Sequence, residues 1–159
     1  IAVALDSLDA SRVIGPRLSA VPHERMPEIY AQADIGLFPN RCEAGTNLVL
    51  MEFMATGKPV IATYATGHVD VLDPFDCFNL VQNKPLTVKG PDGTVTVTWV
   101  EPDLDEIIAM LEWGYENRFE LEWHGKANQR RMRRFTWEAC ARELLKALGV
   151  EAVTSGVGR

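Results

Sequence analysis

Residues 39–62 read PNRCEAGTNLVLMEFMATGKPVIA and hold most of the side chains here that could do chemistry. Glu43 and Gly45 lie in a polar stretch, residues 40–47, and Glu52 sits inside an apolar run that reads as a helix starting near Thr46 or Asn47. The first amides of a helix lack intrahelical acceptors and occupy the positive end of its dipole, so they can hold an anion. Gly45 would let a ligand approach the backbone closely. A carboxylate about one turn further in, Glu52, can accept from a vicinal diol, as acidic residues hold ribose in nucleotide folds. A diphosphate on the helix tip and a ribose beside Glu52 would describe a nucleotide-sugar. The competing reading is capping chemistry alone, with Glu52 paired to a neighbouring cation or facing solvent.

Other signals carry less. His68 lies in a second polar turn, residues 65–69, where it could donate to a phosphate or a sugar hydroxyl, or only line the loop. His23, His68 and His124 have no ligand spacing, and neither C-x-x-C nor H-E-x-x-H occurs, so no metal is expected. Asp103 and Asp105 spell Asp-x-Asp, but they follow Pro102 and open an amphipathic stretch, which favours helix capping. There is no G-x-x-x-x-G-K-[ST] phosphate loop and no G-x-S-x-G elbow.

These residues need elements to position them. Residues 1–5, 17–21, 35–39, 60–64 and 79–82 read as short strands, the third and fourth strongly apolar. Met26, Ile29, Tyr30 and Ala33 recur at helical spacing, with Pro27 suited to a first turn. The helix from residue 46 to 56 is stopped by Gly57 and barred from continuing by Pro59. Residues 86–100, with alternating Thr and Val around Gly-Pro-Asp-Gly, read as an inserted β-hairpin, for which a structural role, covering a sheet edge, is expected. Asp103 and Glu106 predict a capping box ahead of an amphipathic helix, and residues 119–135 a charged one. Thr136 caps a last amphipathic stripe from Trp137 to Leu148, and the tail from Glu151 reads as frayed. Alternating apolar strands and helices predict an α/β fold, a Rossmann-like doubly wound parallel sheet. Ligands in such sheets bind at the carboxyl ends of the strands, which selects residues 40–47 and 65–69.

Composition bounds the function. The 159 residues suit one domain over 1–159, and 47% hydrophobic with 24% charged residues excludes disorder and low complexity. A formal charge of −6 disfavours nucleic acid as a partner. Cys42, Cys77 and Cys140 are an odd, widely spaced set, which suits a reducing compartment. No apolar run spans a bilayer and no signal peptide is visible, so a cytoplasmic location is expected. Five basic residues between Lys126 and Arg134 face eight acidic ones between Glu101 and Glu122. Two solvated, mutually pairing faces account for this; contact with another domain or with anionic lipid at a membrane surface is the alternative.

The central segment resembles the C-terminal donor-binding domain of GT-B glycosyltransferases, specifically the retaining group called glycosyltransferase family four. Ile29–Tyr30 with Ala33–Asp34 resemble its helix end, and Phe38, Pro39 and Asn40 its strand end. Glu52, Met54, Ala55, Gly57, Pro59, Val60, Ile61 and Ala62 follow its E-A-M-A-x-G-x-P-V-I-A. Thr66, Gly67 and His68 look like its glycine-rich donor loop, and Trp99 to Pro102, Asp105 and Phe135 to Trp137 like later landmarks. The resemblance runs roughly from Val13 to Leu148.

That resemblance implies transfer of a sugar from a nucleotide-sugar donor, with retention and without a metal or other cofactor. It places the ribose on Glu52, the diphosphate and sugar on Gly45, Thr46, Asn47 and Leu48, and further donor contacts on Gly67 and His68. Glu43 would take the catalytic position against the transferred sugar. Glu43 and Glu52 are one residue further apart than the family's two glutamates, which makes Glu52 the firmer assignment. The resemblance also implies an N-terminal acceptor-binding domain as partner, and little transfer by this piece alone. Two rivals stay open: a non-catalytic nucleotide- or partner-binding module, and a phosphorylase-like transferase that uses phosphate.

Overall fold

The computed structural model describes residues 22–75, 78–90 and 92–150, without the side chains of residues 95 and 96. The strands expected at residues 1–5 and 17–21, Cys77 and the tail from Glu151 lie outside the described residues. Three short strands, β1 (Gly36–Phe38), β2 (Val60–Thr63) and β3 (Asn79–Leu80), form a parallel sheet in that order. The register pairs Leu37 with Ile61 and Thr63 with Leu80. All four residues of β2 are buried, as the central strand of a sheet covered on both faces must be.

Five helices accompany the sheet among the described residues: α1 (Met26–Tyr30), α2 (Leu48–Ala55), α3 (Leu104–Glu116), α4 (Arg118–Met132) and α5 (Trp137–Ala147). Side chains alternate across β2, so its residues enter two separate cores. Val60 and Ala62 pack with Tyr30, Leu50, Phe53, Met54 and Met132, from α1, α2 and α4. Ile61 packs on the other face with Phe78, Leu80 and Leu121, flanked by Ile107 and Met110 of α3. The fold is therefore the expected doubly wound α/β class.

Helix ends follow the local chemistry. Asn47 caps α2 through its side chain, which accepts from the Leu50 amide. Gly57, at φ +82°, ends it in the left-handed conformation. Asp103 caps α3 by accepting from the amides of Asp105 and Glu106, which holds its carboxyl below the usual range, and Thr136 caps α5. The expected capping box forms only by half. The Glu106 carboxylate accepts instead from the amides of Val81 and Gln82, at 3.1 and 3.0 Å, just past the end of β3. Glu106 is buried, and two amide donors there offset its desolvation.

The hairpin is longer than expected, with β4 (Asn83–Lys89) paired antiparallel to β5 (Val95–Pro102) and a bulge at Val88 and Lys89. It forms a sheet of its own rather than extending the parallel one. Its base is tied to the loop after β1: the Val100 amide donates to Arg41 O at 3.0 Å, and Arg41 pairs with Glu101 at 2.9 Å. The basic run is not wholly a solvated face either. Lys126 pairs with Glu122 on its own helix, but Arg131 turns inward and donates to the carbonyls of Val71 and Leu72, both at 2.6 Å, and to Asp73. The stripe on α5 is uncovered by the described residues, with Trp137 90% and Leu148 67% exposed.

Candidate active site

Because β1 and β2 are parallel neighbours, the loops after them emerge side by side at one edge of the sheet. These are the two turns singled out by sequence, and they are docked on one another. The Glu43 amide donates to Thr66 Oγ1 at 2.9 Å, and the Gly67 amide donates to Glu43 O at 3.1 Å. A Cβ on Gly67 would overlap the carbonyl oxygen of Gly45, so only glycine permits this approach. Gly67 thus serves the contact between loops.

Asn47 and His68 make a second link, with 3.0 Å between Asn47 Nδ2 and His68 Nε2. His68 is 1% exposed, and its Nδ1 lies 3.0 Å from the Thr63 carbonyl at the end of β2. Burial pushes its pKa below the ordinary value; the Thr63 hydrogen bond and the charge of Glu43 oppose this. Both ring nitrogens are thus engaged within the protein.

Between the two links, Ala44 and Gly45 are exposed and Thr46 is half-buried. Beyond its chain neighbours no atom lies within 4 Å of where a Gly45 Cβ would stand, so that side of the backbone is open to a ligand, while its carbonyl packs on Gly67. Asn47 satisfies the Leu50 amide with its side chain and the Met51 amide with its carbonyl. The amides of Leu48 and Val49 precede any intrahelical acceptor, and both residues are exposed. The half-buried Glu43 carboxylate lies 3.4 Å from Asn40 Nδ2.

Glu52 stands one turn into α2 and faces α1 rather than the docked loops. Tyr30 Oη donates to its Oε2 at 2.8 Å, while its Oε1 lies 3.6 Å from Nε2 of the exposed His23. Tyr30 is buried, edge-on to Phe53, and burial followed by the hydrogen bond to Glu52 pushes its pKa up to about 12. It is therefore a fixed donor at neutral pH. Glu52 lines a groove of about 400 Å³ with His23, Met26, Pro27 and Thr56. A groove of about 440 Å³ opens at the opposite, amino ends of β1 and β2, between Lys58 and Arg118, away from these residues.

The structure thus joins Glu43, Gly45, Asn47, Gly67 and His68 in one loop cluster and sets Glu52 beside it on the same helix. Tyr30 was read from sequence as an apolar helix position, which it is; a buried phenol also implies a partner for its hydroxyl, and that signal could have pointed to Glu52. Thr66, whose hydroxyl holds Glu43, carried no such signal.

Among the described residues no helix is long and apolar enough to cross a membrane, and no cluster of three His, Cys, Asp or Glu is placed to hold a metal ion. No match was found among curated proteins or among solved structures. Residues 4–87, just over half of the chain, match the model of the family described as glycosyl transferases group 1. A parallel sheet with its polar loops gathered at the carboxyl edge agrees with that match, and the chain belongs to the group 1 glycosyl transferases, enzymes that move a sugar from a donor to an acceptor.

Proposed function

We propose that this chain is the donor-binding half of a retaining GT-B glycosyltransferase of the family-four type, with residues 1–159 forming one nucleotide-sugar-binding domain. The observation that carries the proposal is the placement of Glu52: a carboxylate steadied by Tyr30 at the wall of a groove, one turn from the open amides of α2. Ribose hydroxyls would donate to Glu52 Oε1, displacing the exposed His23 ring. The diphosphate would lie against the amides of Leu48 and Val49 and the open backbone at Gly45. Charge grows on the diphosphate as the glycosidic bond breaks, and preorganised amides stabilise it in that state without reorganisation. Glu43, in the adjoining loop, is assigned to the transferred sugar.

On this reading the acceptor is bound by a separate N-terminal domain, the transfer needs no metal, and the enzyme works on the cytoplasmic side. Titration calorimetry with UDP, GDP, ADP and their sugar conjugates tests it. Saturable binding of one nucleotide, weakened by Glu52→Ala, is the expected result. A folded protein, together with its acceptor domain, that binds none of them would overturn the reading.

A further inference from the structure

The loops after β1 and β2 are joined at two points, and the second has an internal logic of its own. Asn47 holds φ 57° and ψ 85°, a left-handed conformation that is strained for most residues and that, after glycine, asparagine tolerates well. Its side-chain orientation is fixed by its neighbours. The Leu50 amide can only donate, so Oδ1 must face it and Nδ2 must face His68. The Thr63 carbonyl can only accept, so His68 Nδ1 carries the proton and Nε2 is bare. A bare Nε2 accepts from Asn47 Nδ2. Each donor meets an acceptor in a chain that runs from the end of β2, through a buried ring, to the first turn of α2.

We propose that His68 is a positioning residue for the donor diphosphate, acting through Asn47 rather than by touching the ligand. The inference rests on the donor-site reading above. The latch holds Asn47 in its left-handed conformation, and this conformation sets the direction of the Leu48 and Val49 amides. Thr66 and Gly67 grip Glu43 at the other end of the loop and Gly67 also packs on the Gly45 carbonyl, so residues 44–46 are held as an arch whose outer side is open. A latch of this kind lets the short loop meet the phosphates without ordering on binding.

Two substitutions separate the roles of the ring nitrogens. His68→Asn keeps a donor near Thr63 but cannot reach Asn47. His68→Gln places an amide oxygen near the position of Nε2 and keeps an acceptor for Asn47. The probes are UDP, GDP and ADP, each beside its parent nucleoside, titrated into the full protein. His68→Asn should weaken the diphosphate that binds wild type by about tenfold, while leaving its nucleoside unchanged. His68→Gln should recover most of that loss, and in an Asn47→Gly background His68→Asn should have no further effect. Equal losses for nucleoside and diphosphate, or no loss for either, would overturn the positioning role.

A ligand-free measurement separates this inference from the reading beneath it. Long-range proton–nitrogen spectra of the imidazole should show protonated Nδ1 and bare Nε2. The opposite tautomer would overturn the latch even if nucleotide binds. The expected tautomer in a protein that binds no nucleotide would overturn the donor-site reading, and the positioning role with it.

Discussion

Gly45 and Gly67 stand on the two docked loops, and the structure sets them in opposite surroundings. An alanine Cβ at position 67 would overlap Gly45 O, lie 2.7 Å from Gly45 C and 3.0 Å from Glu43 O. All three are backbone atoms, so no side chain can swing aside, and the loops must part. Parting them strains or breaks the hydrogen bonds from Gly67 N to Glu43 O and from Glu43 N to Thr66 Oγ1. Overpacking costs about 1–3 kcal/mol and each lost hydrogen bond about 0.5–1.5 kcal/mol, so Gly67→Ala should cost about 3 kcal/mol. For a chain of this size that lowers Tm by about 6–12 °C. A Cβ at position 45 meets nothing within 4 Å, and Gly45 is not in the left-handed region. Gly45→Ala should therefore change stability by no more than about 0.5 kcal/mol. If a diphosphate lies against that backbone, the added methyl should still weaken it, by about tenfold for 1.4 kcal/mol. Differential scanning calorimetry reads the first effect and titration calorimetry the second. A Gly67→Ala protein that melts with wild type would refute the loop docking. A Gly45→Ala protein that melts early would refute the open arch.

Tyr30→Phe removes the donor to Glu52 Oε2; nucleotide Kd should rise about three- to tenfold, with about 1 kcal/mol of stability lost, by calorimetry on the same samples. Burial holds His68 below its ordinary pKa, so the unfolded chain takes up this proton first as pH falls. Its contribution to stability is thus complete above about pH 6.5 and erodes below that value, and denaturation midpoints measured from pH 8 to 5 should show a slope that His68→Gln flattens. Arg131→Ala leaves the buried carbonyls of Val71 and Leu72 without their donor, and urea unfolding should show a loss of about 2–3 kcal/mol. Little of that comes from the half-exposed Asp73.

The fold was legible where the signals are local. Runs of apolar residues marked β1 and β2, and the caps of α2, α3 and α5 are bonds spanning two or three residues, which a sequence displays directly. The candidate site was legible in membership but not in wiring. The resemblance implies donor contacts for Gly67 and His68, with lining the loop as the other reading of His68, but it says nothing of their partners within the protein: the ring of His68 meets Asn47 and Thr63, and Gly67 meets the backbone of Gly45. Those contacts depend on which strands are neighbours, and no period or motif in the chain encodes that. The hairpin shows the same limit: its pairing was plain from alternation, but its attachment to Arg41 joins residues about sixty positions apart.

A common physical thread links the residues whose partners sequence did not name. Tyr30, Glu52, His68, Glu106 and Arg131 are each polar or charged groups drawn wholly or partly into apolar surroundings. Desolvating such a group costs free energy unless a partner is supplied, so its presence in an apolar stretch already implies one. The partner's chemistry can even be stated: an acceptor for a phenol, amides or a cation for a carboxylate, carbonyls for a guanidinium. Its position cannot, because the same need is met equally well by any strand end or helix brought within reach. Glu106 makes the point. Its place three residues after Asp103 predicted a bond back to the helix start, but its two oxygens accept instead from the amides of Val81 and Gln82 past β3. Glu52 differs in one respect. Tyr30 occupies only one of its oxygens, and the other is shared with nothing firmer than an exposed histidine. A half-buried carboxylate with one oxygen left open toward a groove has the capacity that the proposed ribose contact would use.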